Sequence, residues 1–351
     1  MRIDGRQYSR AELLQRVGRI EQIGGVEATV LDEGAGRGTR ALRFTSAAGL
    51  TATVLPDRGM DILDFRWRGR SLCWQGACGP ASPALYQQES AHGFLRQFYA
   101  GMLTTCGLGT FGPASDDAGE HLPQHGLASQ LPASAVAWGH EWEGDRCVLY
   151  ARGATRQWRL FGEHLTLHRH LRMDLDGSSM LIEDVVRNEG YEPAPHMILY
   201  HCNAGFPLLD EGAQVHGRFA SVEARDEEAR HGIQNWARIL GPRPHIAEQV
   251  FLTSPQPDDS HWSEATLWNP SLDGGLGLRL RWDARTLPWM LVWRMLGEGA
   301  YVLGLEPVNC PTIEGRAAAR AAGTLPILAP GEERRYSLEL AVVTEAPAEP
   351  A

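Results

Sequence analysis

The segment from Tyr301 to Pro307 combines the alternation of a β-strand with a carboxylate at its end. Alternation places Val302, Gly304 and Glu306 on one face of such a strand. Gly304 leaves open space on that face, in which a flat ligand could lie beneath the carboxylate. An ionised carboxylate withdrawn from water is costly unless it is paired or its pKa rises. The segment is therefore compatible with a solvent-facing strand end or with a carboxyl group at a ligand site.

Two further segments place an imidazole beside glycine, proline or asparagine. His125 lies in a loop next to glycine, and His201 ends a strand that starts at Met197 and leads to Asn203. Each histidine alone is compatible with a surface or hydrogen-bonded structural role. Together with Glu306 they form a candidate set of functional groups from three distant parts of the chain.

These groups must be positioned by β-strands, because strand patterns dominate the sequence. From Leu165 to Leu175 apolar residues alternate with polar ones, with Arg169 as the exception. The 39 glycines and 21 prolines supply breaks between strands. Strands are predicted over residues 41–45, 50–55, 146–151, 165–175, 181–186, 197–201, 276–282, 301–305 and 336–343.

One clear helix signal lies near the N-terminus, where Ser9 and Glu12 have the spacing of a capping box. Apolar residues then mark one helical face as far as Ile20, and the helix is predicted to stop at Gly24-Gly25. The chain shows no internal repeat and no composition shift that would mark a domain boundary. The simplest architecture is all-β, a large antiparallel β-sandwich. The predicted organisation is a helical extension over residues 1–25, a single sandwich domain over 26–344 and a flexible tail over 345–351.

The composition of the chain argues against two classes of binding partner. With 351 residues and a net charge of −10, the chain is a poor match for nucleic acids or anionic membranes. No apolar run approaches the roughly 20 residues of a membrane span, and the N-terminus lacks the apolar segment of a secretory signal. Six cysteines without a Cys-x-x-Cys pair indicate reduced thiols, so a cytoplasmic location is predicted.

The order of these motifs resembles that of the galactose mutarotase (aldose 1-epimerase) superfamily. Three features occur in the same order in both. A His-Gly loop comes first, a strand that ends in histidine before an Asn/Phe turn comes second, and a strand that ends in Glu-Pro comes last. A divergent bacterial, aldose-1-epimerase-like branch is more similar still, over most of the chain. Its motifs match residues 55–62, 103–108, 200–209 and 304–309.

The resemblance implies a sugar bound on the concave face of the sandwich, without cofactor or metal. Glu306 would accept the proton of the C1 hydroxyl as general base, and His201 would protonate the ring oxygen as general acid. His125 would hydrogen-bond the sugar. The ring opens, C1 rotates and the steps reverse, so that the anomers of a free aldose interconvert. The expected partner is a small-molecule sugar, and the expected assembly is a monomer or homodimer.

The sugar-binding positions depart from the family pattern. The family's Arg–Asn motif is missing, and Arg58 or Arg96 could supply its guanidinium; for Arg58 the alternative is a salt bridge to Asp57 or Asp61. Further candidates for sugar contact are Asn203, Trp293 and Arg294, since an indole face can pack on the apolar side of a pyranose. The family's substrate-binding aspartate also has no clear match, and the candidates for its place are His245, Asp258, Asp259 and His261.

Three alternatives stay open. The same acid–base pair could enolise a keto-sugar, as in an isomerase, epimerase or lyase. The fold could serve a non-catalytic carbohydrate sensor, since fold does not determine function. His125, His201 and Glu306 could also form a metal site, because two histidines and a carboxylate can bind zinc or iron.

Overall fold

Three antiparallel sheets carry most of the chain in this computed structural model, which describes residues 1–88 and 92–347. The first sheet has eight strands, in the order Ala133–Glu143, Arg146–Trp158, His164–Asp174, Ser179–Asn188, Glu333–Val343, Leu276–Asp283, Trp262–Asn269 and Gln214–Gly217. The second has six, in the order Phe219–Ala224, Gln249–Pro255, Trp289–Gly297, Ala300–Val308, Leu199–Ala204 and Thr104–Cys106. The third has five, in the order Gly25–Val30, Arg40–Thr45, Leu50–Leu55, Asp61–Trp67 and Arg70–Ser71.

Short elements complete the fold. Three two-stranded pairs join Arg2–Ile3 to Arg6–Gln7, Ser115–Asp117 to Glu120–Leu122, and Ala194–Pro195 to Ile327–Leu328. The α-helices are Arg10–Leu14, Glu227–Gly232 and Gly315–Ala321, and the 3-10 turns are Ile20–Gln22, Gly34–Gly36, Pro83–Leu85, Ala128–Gln130 and Ile233–Asn235. The predicted all-β, antiparallel architecture with few helices is confirmed.

The main core lies between the sheets, because each contributes one apolar face to it. Leu167 of the eight-stranded sheet, Leu305 of the six-stranded sheet and Val54 of the five-stranded sheet belong to one continuous cluster of buried side chains. Since side chains alternate along a strand, the residues on either side of Leu305 point away from this core. Glu306 is one of them, and it lies on the opposite face of the six-stranded sheet.

Arg169 breaks the alternation of apolar and polar residues in its strand because it belongs to a buried polar network. Its guanidinium lies between two carboxylates, 3.1 Å from Asp61 and 2.7 Å from Asp184. Tyr200 donates a hydrogen bond of 2.8 Å to Asp184, so the network reaches the strand that carries His201. A buried arginine is tolerated here because opposite charges and hydrogen bonds surround it. This network supports that strand from its core side.

The N-terminal segment packs on the main core. The capping box is present, since Ser9 and Glu12 satisfy each other's backbone amides. The helix ends at Leu14, well before the predicted stop at residue 24, while Val17 and Ile20 still lie in the core. Of the predicted tail, residues 348–351 lie outside the described residues.

Candidate active site

Glu306 and His201 lie side by side across two paired strands. The Glu306 strand pairs with Leu199–Ala204, and Cys202 is opposite Leu305. The same register puts His201 opposite Glu306, with both side chains on one face of the sheet. His201 Nε2 lies 3.2 Å from Glu306 Oε1, and both side chains are buried. The tertiary structure thus brings together two residues that are 105 positions apart in the chain.

Gly304 provides the space for the Glu306 carboxyl group. It lies opposite Trp293 on one neighbouring strand and Asn203 on the other. A Cβ atom added at Gly304 would collide with Glu306 Oε1 and lie 3.2 Å from His201 Cε1. The space above Gly304, in which a flat ligand could lie, is occupied here by the Glu306 side chain.

Burial holds the Glu306–His201 pair in an uncharged form. Desolvation raises the pKa of Glu306 well above its usual range, and the negative charge of Glu248 adds to this effect. Desolvation lowers the pKa of His201 well below its usual range, with a further contribution from His125. Both shifts favour the uncharged form of the pair, in which the carboxyl group carries its proton and the imidazole carries a single N–H proton. Glu306 Oε1 and His201 Nδ1 have no hydrogen-bond partner among the described residues.

His125 is held as a neutral hydrogen-bond donor. It has a left-handed backbone with φ +58°, and burial lowers its pKa to about 4. The Gly112 amide donates to His125 Nδ1 at 3.4 Å, so the proton of the neutral ring resides on Nε2. The ring lies 5.7 Å from that of His201 and 4.7 Å from that of Phe94. His125 can therefore donate to a ligand oxygen beside the Glu306–His201 pair.

These groups line one cavity of about 310 Å³, a size within the range of small-molecule sites. Its walls are mostly apolar and aromatic. The lining residues are Phe94, Leu95, Phe98, Gly112, Pro113, Gln124, His125, Leu199, His201, Arg225, Glu248, Val250, Leu291, Trp293, Glu306, Ile313 and Glu314.

Trp293 forms one wall and is fixed by a carboxylate. Its ring packs edge-on against His201 at 5.3 Å between centroids. Its indole N–H donates to Glu248 at 2.8 Å, and Arg225 donates to the same carboxylate at 2.9 Å. Arg225 also bonds Asp226 at 2.8 Å. The indole is thus anchored at its polar edge, while the remainder of the ring faces the cavity.

Several lining residues were not predicted from the sequence. Phe94 and Phe98 are four residues apart and stack at 4.9 Å, and this aromatic spacing could have been noticed. Glu248 and Arg225 carry no local signal, because each lies beside a strand end of ordinary composition. The four candidates for the missing aspartate do not line this cavity. Asp258, for example, accepts hydrogen bonds from the Trp262 amide and from Arg281.

Comparison with known proteins places the chain in a family. A family model described as a domain of unknown function, DUF4432, matches residues 36–342. The chain belongs to this family. No curated protein matches the sequence.

Solved structures share the fold of this DUF4432 protein. A Klebsiella pneumoniae protein provisionally described as an aldose 1-epimerase is 27% identical with a TM-score of 0.85, over 90% of this chain and 83% of that one. A galactose mutarotase-like protein from Clostridium acetobutylicum is 11% identical, with a TM-score of 0.59 over 91% and 98% of the two chains. Galactose 1-epimerase from Lactobacillus acidophilus is 10% identical, with a TM-score of 0.56 over 91% and 98%. The resemblance to the mutarotase superfamily is confirmed, with DUF4432 as a divergent branch.

Neither arginine considered for the missing guanidinium lines the cavity of the DUF4432 protein. Arg58 is buried and donates to the main-chain oxygens of Ser129 at 2.5 Å, Ala81 at 2.7 Å and Gln97 at 3.3 Å. Because its donors serve the backbone, Arg58 is a packing residue, and the predicted ligand role is wrong. Arg96 is exposed and lies outside the cavity lining.

The salt bridges considered for Arg58 are also wrong. Asp57 instead pairs with Arg40 at 2.6 Å, and Asp61 pairs with Arg169 in the buried network.

Asn203 and Arg294 do not reach the cavity either. Asn203 is buried on the same face of the sheet as His201, and its side-chain amide donates to the His201 carbonyl oxygen at 2.8 Å. It supports the His201 backbone, and a direct sugar contact is not formed in this arrangement. Arg294 follows Trp293 and therefore points to the other face of the sheet. There it donates to the Asn235 carbonyl oxygen at 2.7 Å.

Two further observations concern other kinds of site. Within residues 1–88 and 92–347, no group of three or more His, Cys, Asp or Glu side chains is arranged to hold a metal ion. In the same part of the chain, no helix is long and apolar enough to cross a membrane.

Proposed function

We propose that this DUF4432 protein is an isomerase that interconverts the anomers of a free aldose by acid–base catalysis with ring opening. The observation that carries the proposal is the buried contact between Glu306 and His201 in the lining of an aromatic-walled cavity. The Klebsiella relative, provisionally described as an aldose 1-epimerase, supports the same reaction class.

The reaction needs one proton acceptor at the C1 hydroxyl and one proton donor at the ring oxygen. By resemblance to the mutarotase superfamily, Glu306 is assigned as the acceptor and His201 as the donor. Moving the carboxyl proton from Glu306 to His201 creates this reactive form without changing the net charge of the site. Hydrogen bonds from sugar hydroxyls to the carboxylate would favour it. Ring opening then returns a proton to Glu306 and removes one from His201, so the reverse steps need no outside proton.

The surrounding groups suit the rest of the sugar. His125 Nε2 can donate to the ring oxygen region, where negative charge develops as the ring bond breaks. Trp293 offers an apolar ring face for a pyranose. The cavity size fits a monosaccharide, and a small-molecule sugar is the proposed partner. A cytoplasmic location is part of the proposal, supported by six unpaired cysteines, five of them buried.

An NMR measurement of anomer exchange tests the proposal across hexoses, pentoses, uronates and deoxy-sugars. Glu306→Gln and His201→Ala are expected to lose roughly 10²- to 10⁴-fold in exchange rate each. Glu264→Gln is the control, because Glu264 is exposed and lies outside the cavity. Sugar binding should persist in Glu306→Gln, since the cavity walls remain.

Two outcomes would contradict the proposal. Unchanged exchange rates in both variants would remove the catalytic assignment. Sugar binding to the wild type without any acceleration of exchange would identify a carbohydrate sensor instead.

A further inference from the structure

The cavity has little positive charge to offer a ligand. Among its lining residues Arg225 is the one arginine or lysine, whereas Glu248 and Glu314 add carboxylates. The two histidines of the site are held neutral by burial. Among the described residues of the lining, a phosphate or carboxylate on a sugar therefore has Arg225 as its single candidate partner.

Arg225 already donates hydrogen bonds to two carboxylates. Arg225 NH1 donates to Glu248 Oε1 at 2.9 Å, and Arg225 Nε donates to Asp226 Oδ2 at 2.8 Å. One cation and two carboxylates give this cluster a net charge of −1. The negative charge of Glu248 extends into the cavity, since it also contributes to the raised pKa of Glu306.

We propose that Glu248 makes the cavity selective for uncharged sugars over phosphorylated or carboxylated ones. The inference rests on the proposed function and names its substrate class. An anionic substituent would meet the excess negative charge of the Glu248–Arg225–Asp226 cluster, and such like-charge contacts oppose binding. Glu248 thus has two roles. It neutralises the charge of Arg225, and it fixes Trp293 by accepting the hydrogen bond of the indole N–H.

Replacement of Glu248 by glutamine isolates the charge effect. The glutamine side-chain oxygen can still accept the Trp293 N–H, so the wall of the cavity is preserved. The Arg225–Asp226 pair that remains has a net charge of zero. Arg225 also regains a donor that can turn towards an anionic group.

The test compares glucose, galactose and mannose with the 6-phosphate of each, by NMR exchange on the full chain. For the wild type we expect kcat/KM to be at least about tenfold lower for the phosphates than for the neutral sugars. In Glu248→Gln the ratio of phosphate to neutral sugar should rise by about tenfold. Glu264→Gln changes the net charge of the protein equally, but outside the cavity, and should leave the ratio unchanged.

The outcomes separate this inference from the proposed function. If the wild type accelerates exchange of neither neutral nor phosphorylated sugars, the proposed function fails. If it exchanges neutral sugars but accepts their phosphates equally well or better, only the charge preference is overturned. An unchanged ratio in Glu248→Gln would also overturn it. Loss of phosphate turnover in Arg96→Gln would identify Arg96 as an anion-binding cation and would likewise contradict the role of Glu248.

Discussion

Replacing Gly304 with alanine should disable the site while leaving the fold intact. The residue lies inside a strand and has no left-handed backbone angle, so alanine fits the main chain. The added Cβ would take the position of Glu306 Oε1 and crowd His201 Cε1 at 3.2 Å. Because the colliding atom is the end of a flexible side chain, the carboxyl group would move aside while the strand stays in place.

The expected magnitudes follow from this displacement. A shift of about 1 Å in a catalytic group can cost about 10²-fold in rate, or roughly 2.7 kcal/mol of transition-state stabilisation. Stability should change little, since glycine to alanine in an element interior gains about 0.5–1 kcal/mol and the crowding offsets part of that gain. NMR anomer exchange measures the first effect, and urea unfolding measures the second.

Gly18→Ala is the matched control, because no atom lies within 4 Å of a Cβ added at that exposed position. It should keep full exchange activity. Equal activity in Gly304→Ala and Gly18→Ala would refute the argument that the carboxyl group needs the space above Gly304. A large loss of stability in Gly304→Ala would show that the backbone, rather than the carboxyl group, had moved.

Two other predictions concern stability. Because burial raises the folded-state pKa of Glu306, the wild type should lose stability as pH rises above the unfolded value of about 4.5, until the folded pKa is passed. Glu306→Gln cannot ionise, so its advantage in thermal unfolding should grow as the pH rises above about 4.5, by up to about 1.4 kcal/mol per pH unit; a constant difference would contradict the raised pKa. Arg58→Met should destabilise the fold by about 1–3 kcal/mol for each buried carbonyl that loses its donor, as measured by urea unfolding. Unchanged stability with weakened sugar binding would instead restore the ligand role.

Much of the fold could be predicted from the sequence, because strand alternation is a local property. The strand Leu50–Leu55 has the predicted bounds, and the alternating segment from residue 165 is observed as His164–Asp174. The helix was predicted to run to residue 24 but ends at Leu14. Its later apolar residues are instead buried by packing of an irregular segment, which periodicity cannot distinguish from a helix.

Among the candidate site residues, Glu306, His201, His125 and Trp293 lie in one cavity. Glu306, His201 and His125 were marked by their motifs, because each stands close to glycine, proline or asparagine in the sequence, and Trp293 was marked by the affinity of indole rings for sugars. Arg58 and Arg294 had equally suggestive neighbours, but both point away from the cavity. A sequence pattern shows which residues of a strand share a face, but it does not say which face of the sheet will be covered by the other sheets.

By itself, the sequence determined the strands, the acid–base residue types and the net negative charge. Only the tertiary structure decided that Glu306 is opposite His201, since cross-strand register joins segments that are distant in the chain. It also decided that Glu248 and Arg225 meet in the lining of the cavity. Both contacts depend on how strands order themselves within the six-stranded sheet. That order is set by burying one apolar face against the other sheets, which is a property of the whole chain.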